Sequence, residues 1–83
     1  MKLTVCYFAS IREALGASES VEAAEGSSVG AVRDALIARG GTHASALARG
    51  RALRTALNQV LCDEAAIVRD GDELAFFPPV TGG

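Results

Sequence analysis

The two most strand-like runs of this chain stand near its opposite ends, and that placement limits the folds open to it. Residues 2 to 9, Lys-Leu-Thr-Val-Cys-Tyr-Phe-Ala, are rich in β-branched and aromatic side chains and read as a first strand. Glu73 to Phe77, Glu-Leu-Ala-Phe-Phe, read as the last. Strands this apolar are poorly suited to a sheet edge, so both are expected at central positions.

Between them lies one clear helical period. Ser10 and Glu13 have the S-x-x-E spacing of a capping box, which predicts a short helix opening at Ser10 and stopped by Gly16. Residues 18 to 24, around Val21, predict a second strand, antiparallel to the first in a hairpin-like unit. Gly26, Ser27 and Ser28 mark a turn and a helix N-cap. Val29, Val32, Leu36 and Ile37 then continue at helical spacing. Arg33 falls in the same stretch, Arg39 suits the negative end of the dipole, and Gly40 and Gly41 end the helix. Residues 42 to 54 allow either a short helix from His43 to Arg49, ending at Gly50, or a loop. Leu57, Val60 and Leu61 predict a third strand with Asn58 and Gln59 inside it. Ile67 and Val68 lead into Asp70-Gly71-Asp72, a turn signal. Pro78 and Pro79 end the ladder, because proline has no N–H to donate. One principal helix packed on one face of a mixed sheet is an α+β arrangement, and this order is the plan of the β-grasp, or ubiquitin-like, fold. The expected division is a β-grasp domain over residues 1–78 and an extended tail over 79–83.

Eighty-three residues make one domain with an economical core and little room for an enclosed active-site pocket. The net charge of −2 comes without a basic cluster; Arg49, Arg51 and Arg54 are the densest group, which argues against nucleic acid as a partner. No secretory signal and no membrane-length apolar stretch is evident. Cys6 and Cys62 form no C-x-x-C and have no neighbouring histidine, so no metal site is expected; each sits in an apolar run as a small hydrophobe. A cytoplasmic location with reduced thiols is expected. His43, with no evident carboxylate partner, reads as a solvated loop residue. Asp70, Asp72 and Glu73 read as part of a turn rather than a cation site.

The end of the sequence carries the chemistry. Two prolines stiffen the exit from the last strand, and the two terminal glycines have no side chains to widen the tail. From Pro79 to Gly83 the extended reach is about 16 Å, at roughly 3.3 Å per residue. That is long enough to place the Gly83 carboxylate in a buried site of another protein. A carboxylate must be activated before it can carry a group, and a glycine leaves its acyl carbon open to attack.

Phe76-Phe77-Pro78-Pro79-Val80-Thr81-Gly82-Gly83 resembles the terminus of the MoaD family, the small subunits of molybdopterin synthase, which are ubiquitin-like sulfur carriers. Asp70-Gly71-Asp72-Glu73, Tyr7-Phe8-Ala9 with Arg12-Glu13, and Asn58-Gln59 also match, while residues 40–55 match loosely and Cys6 and Cys62 not at all. The resemblance implies a cycle. A MoeB-like, E1-type adenylating enzyme uses ATP to activate Gly83, and no cofactor is bound by the carrier itself. A sulfur donor protein then makes the thiocarboxylate. Pro79, Val80, Thr81 and Gly82 thread the tail into a MoaE-like large subunit, where the sulfur passes to cyclic pyranopterin monophosphate in molybdenum cofactor biosynthesis. The chain would thus be the sulfur-donating subunit of a sulfurtransferase, in a heterotetramer with the large subunit. A carrier for thiazole, cysteine or tRNA thiolation, or a ubiquitin-like modifier of lysines, shares the same Gly-Gly chemistry.

Strand alternation places the docking surface. Neighbours in a strand face opposite sides. Leu3, Val5 and Tyr7, with Leu74 and Phe76, fit the helix side; Phe8, Phe77 and Leu61 fall on the open side. These three are the expected partner-binding residues, unless the 42–54 segment folds over them.

Overall fold

The computed structural model describes residues 1–79. Five strands form one sheet in the order β2-β1-β5-β3-β4. They are β1 (Lys2–Tyr7), β2 (Ser18–Glu22), β3 (Arg54–Leu57), β4 (Val60–Cys62) and β5 (Glu73–Phe77). β1 and β5 run parallel at the centre, with Tyr7 opposite Phe76, and all other pairs are antiparallel. Three helices, α1 (Ala9–Leu15), α2 (Val29–Ile37) and α3 (Gly41–Ala46), complete the α+β arrangement.

The core lies between the helices and one face of the sheet. Leu3, Val5, Tyr7, Leu74 and Phe76 are each at most 1 % exposed and pack with Val29, Val32, Leu36 and Leu47. That is the face assignment expected from alternation. α2 starts as the sequence predicts, with Ser28 Oγ accepting from the Ala31 N–H at 3.1 Å. Gly16, at φ 92°, closes α1.

Four expectations need correction. α1 has no capping box: its N-cap is Phe8, whose side chain has no oxygen, and Ser10 lies inside the helix. The Phe8 carbonyl instead accepts from the N–H groups of Ile11 and Arg12, because the β1–β5 ladder carries Phe8 to the turn. The third strand is two strands. Asn58 (φ 50°) and Gln59 (φ 69°) form a two-residue left-handed turn that joins β3 to β4, with Leu57 opposite Val60. The 42–54 segment holds a helix that starts at Gly41 and ends at Ala46, well short of Gly50. It packs with α1 and α2 on the core side and leaves the opposite face of the sheet open.

His43 is not a solvated loop residue. Its Nε2 lies 2.7 Å from Glu19 Oε2, and the ring is largely sheltered. Glu19 also accepts from Tyr7 Oη and Arg39 Nη1, each at 2.7 Å. Burial opposes its charge, but the hydrogen bonds from His43, Arg39 and Tyr7 outweigh that and draw its pKa down to about 2. Burial, and then the bond to Glu19, push the Tyr7 phenol up. A second cluster pins the segment after α3. Arg33, only 3 % exposed, donates to the carbonyls of Leu47, Ala48 and Arg51 and to Glu64. Arg49 meets Glu64, Asp34 and the Gly30 carbonyl. A side chain at Gly30 would be crowded, because the Glu64 backbone and side chain lie 3.1–3.4 Å from where a Cβ would stand.

Candidate functional site: an apolar groove at the root of the tail

The open face divides along the sheet. On β2 and β1 it carries Lys2, Thr4, Ser18 and Ser20, which are exposed and polar. On β5, β3 and β4 it turns apolar, with exposed Arg54 beside Phe77 in the register. Ala75 pairs with Ala56, and Ala56 with Leu61, so one register row crosses three strands. The two alanines are too short to fill the face, and the surface sinks above them. The resulting groove has a volume of about 590 Å³.

Larger side chains make its walls. Phe8 is 46 % and Leu61 67 % exposed, which is high for side chains of this kind in a small globular domain. Phe8 meets half-buried Phe77 edge-on, with ring centroids 6.5 Å apart and planes at 88°. Ala9, at φ 54°, adopts a left-handed conformation uncommon for alanine; it turns the chain from β1 into α1 directly behind Phe8. The structure therefore brings Phe8, Leu61 and Phe77 together around one depression. Pro78 and Pro79 line the same groove, so the chain leaves the fold from the rim of its apolar surface. Val80, Thr81, Gly82 and Gly83, named from the sequence as the threading segment and its reactive end, lie outside the described residues.

Two polar groove residues escaped the sequence reading. Gln59 reaches it through the left-handed turn, and Glu73 forms the far end of the wall. Alternation from Leu74 could have placed Glu73; nothing short of the hairpin could have placed Gln59.

The cysteines take no part in a nucleophilic site. Cys6 is on the open face beside Ala75, and burial, with Glu73 nearby, raises its thiol pKa. A raised thiol stays protonated at neutral pH and attacks poorly. Cys62 faces the core, its Sγ 3.7 Å from Thr55 Oγ1. Among the described residues no group of histidine, cysteine, aspartate and glutamate is placed to hold a metal ion. No helix among them is long and apolar enough to cross a membrane.

The sequence signature of the ThiS family matches residues 5–83. The chain belongs to this family. It is 42 % identical over 81 residues to the molybdopterin synthase sulfur carrier subunit of Haemophilus influenzae, covering 98 % of this chain and 99 % of that one. Its fold is similar to small archaeal modifier protein 1 of H. volcanii, with a TM-score of 0.77, 26 % identity, and 95 % and 98 % of the two chains covered. It is also similar to a chain of the complex of subunits 1 and 2 of molybdopterin-converting factor from Helicobacter pylori, with a TM-score of 0.69, 26 % identity and both chains fully covered. The fold this ThiS-family chain shares with those structures is the ubiquitin-like β-grasp.

Proposed function

We propose that this chain is the sulfur carrier subunit of molybdopterin synthase and works through the carboxylate of Gly83. The observation that carries the reading is the position of the groove. Pro78 and Pro79 form part of its lining, so a protein seated on Phe8, Leu61 and Phe77 receives the tail directly. The relative named as a sulfur carrier subunit, at 42 % identity over nearly the whole chain, supports the same role. The two-subunit complex from H. pylori supports a large synthase subunit as the partner.

The chemistry comes from what a glycine carboxylate can do. As a carboxylate it is a poor electrophile. In the active site of an E1-type enzyme it attacks the α-phosphorus of ATP, forming an acyl-adenylate and releasing pyrophosphate. A sulfur nucleophile from a donor protein adds to the acyl carbon and AMP leaves. With a persulfide donor this gives an acyl disulfide; a thiol then attacks the donor's sulfur, forms a disulfide with it, and releases Gly83 as the thiocarboxylate. That sulfur is the nucleophile delivered to cyclic pyranopterin monophosphate in the large subunit's pocket. The small subunit supplies reach and docking, and the pocket and the ATP site belong to its partners.

The test is an intact mass after co-expression with the adenylating enzyme and a sulfur source. Exchange of one carboxylate oxygen for sulfur adds about 16 Da, which reports the activated nucleophile. Deleting Gly83 removes the mass shift and the synthase activity; synthase activity that survives the deletion defeats the proposal. A second reading, a protein modifier, is favoured by the likeness to the archaeal modifier. It requires heavier conjugates, stable to thiols and joined to lysines, which a pure sulfur carrier does not form.

A further inference from the structure

The groove is apolar except at one end, where Glu73 and Gln59 stand. The other shielded carboxylates of this domain are held by neighbours: Glu19 by Tyr7, Arg39 and His43; Glu64 by Arg33 and Arg49; Asp72 by Asn58 and the Arg69 N–H. Among the described residues the Glu73 carboxylate has neither an ion pair nor a hydrogen bond. Only its backbone is engaged, its N–H donating to Asn58 Oδ1 at 3.0 Å and its carbonyl accepting from the Asn58 N–H at 2.8 Å. Lys2, on the same face, is opposite Glu22 in the register and makes no ion pair with Glu73.

In the free protein water solvates this charge. A partner that covers the groove strips that water away. A wholly apolar partner would leave a carboxylate desolvated and unpaired, which is heavily penalised. We propose that the partner segment seated in the groove is apolar over Ala56 and Ala75 and carries a basic side chain that pairs with Glu73. Glu73 lies four residues from Phe77 along β5, about 13 Å at roughly 3.3 Å per residue. The base is thus set apart from the aromatic end of the groove, next to which the tail leaves. With the Glu73 carboxylate at this end and exposed Arg54, in register with Phe77, at the other, the charges fix the direction in which the partner lies, so that the tail points into the partner's pocket rather than away from it. This rests on the reading of the open face as the docking surface for the large synthase subunit.

The test titrates the purified large subunit of molybdopterin synthase against full-length chain at several salt concentrations. The variants are Glu73→Gln, Glu73→Lys, Phe77→Ala and, as a control on an exposed acid outside the groove, Glu25→Gln. Glu73→Gln is expected to weaken binding about five- to tenfold and to flatten its salt dependence, as for a close interfacial charge pair, and Glu73→Lys to weaken it further. Glu25→Gln leaves affinity unchanged, while Phe77→Ala lowers it and keeps the salt dependence. A melt of Glu73→Gln matching the parent shows that the fold is intact, since the backbone bonds of residue 73 are untouched. Parental affinity and salt dependence in Glu73→Gln, with Phe77→Ala weakened, overturn the charge pair alone. Parental affinity in both overturns the docking surface as well.

Discussion

The two faces of the sheet answer different demands with the same strands. Tyr7 and Phe76, neighbours in register, are at most 1 % exposed beneath the helices. Phe8 and Phe77, one position further along each strand, stand at the surface with no helix over them. On the helix side even the charges are matched, by Arg33 and Glu64 at one end and by Glu19 with Tyr7, Arg39 and His43 at the other. In the groove on the open side, apolar carbon and the unpaired Glu73 carboxylate are left for water. The contrast teaches that alternation alone separates what holds the domain together from what it offers to others.

The sharpest way to break that comparison is to truncate adjacent aromatics. Phe76→Ala is expected to cost about 3–5 kcal/mol of stability, as for a buried phenylalanine. Phe77→Ala should cost far less in a denaturant melt; equal losses would mean that the two faces are not distinct.

Arg33→Ala comes next. It leaves the carbonyls of Leu47 and Arg51 without a donor, takes one of two donors from Ala48, whose carbonyl keeps the Arg51 N–H, and removes one partner of Glu64. Unsatisfied buried acceptors set the expected loss at about 2–3 kcal/mol. Calorimetry decides it, and a neutral substitution would reduce the buried arginine to packing.

On the open face, Leu61→Ala and Phe77→Ala are each expected to weaken the complex with the large subunit by about 1–2 kcal/mol, the range of interface anchors. Titration calorimetry measures this directly.

The smallest effect is one of pH. Glu19 has a folded pKa of about 2, below its unfolded value, so the unfolded state takes up its proton first. The stability it contributes is complete above the unfolded pKa and is lost as pH falls toward about 2. Glu64 and Asp72, also lowered, act in the same direction. Glu19→Gln should therefore lessen, without abolishing, the fall in melting temperature on acidification; an unchanged acid limb would argue against the cluster.

Much of this was legible in the sequence because it depends on neighbours in the chain. Alternation sorted Leu3, Val5 and Tyr7 from Phe8, and Ser28 announced the start of α2. What escaped depends on contacts across the fold. His43 and Glu19 are 24 residues apart, and Arg33 and Glu64 are 31 apart, so no local pattern joins them. The β3–β4 hairpin was hidden because Asn58-Gln59 has an ordinary residue where such turns favour glycine. The capping box at Ser10 was a true sequence pattern overruled by the strand pairing that brings Phe8 to the turn. The groove fell between: its walls could be named, but its depth comes from two alanines aligned only in the assembled sheet.

Of the strands described, the last along the chain is the one that sits between the first strand and the β3–β4 hairpin. A nascent chain that has not yet exposed Phe77 is two separate hairpins, β1–β2 and β3–β4, with no strand to bridge them, and isolated hairpins are marginal in water. Folding must therefore await the final strand and proceeds through its most distant contacts, which slows it. A cell gains a form of proofreading from this order. Translation products cut short before β5 stay unfolded and open to proteases, so chains that reach a partner in folded form are those that also carry the segment leading to the tail.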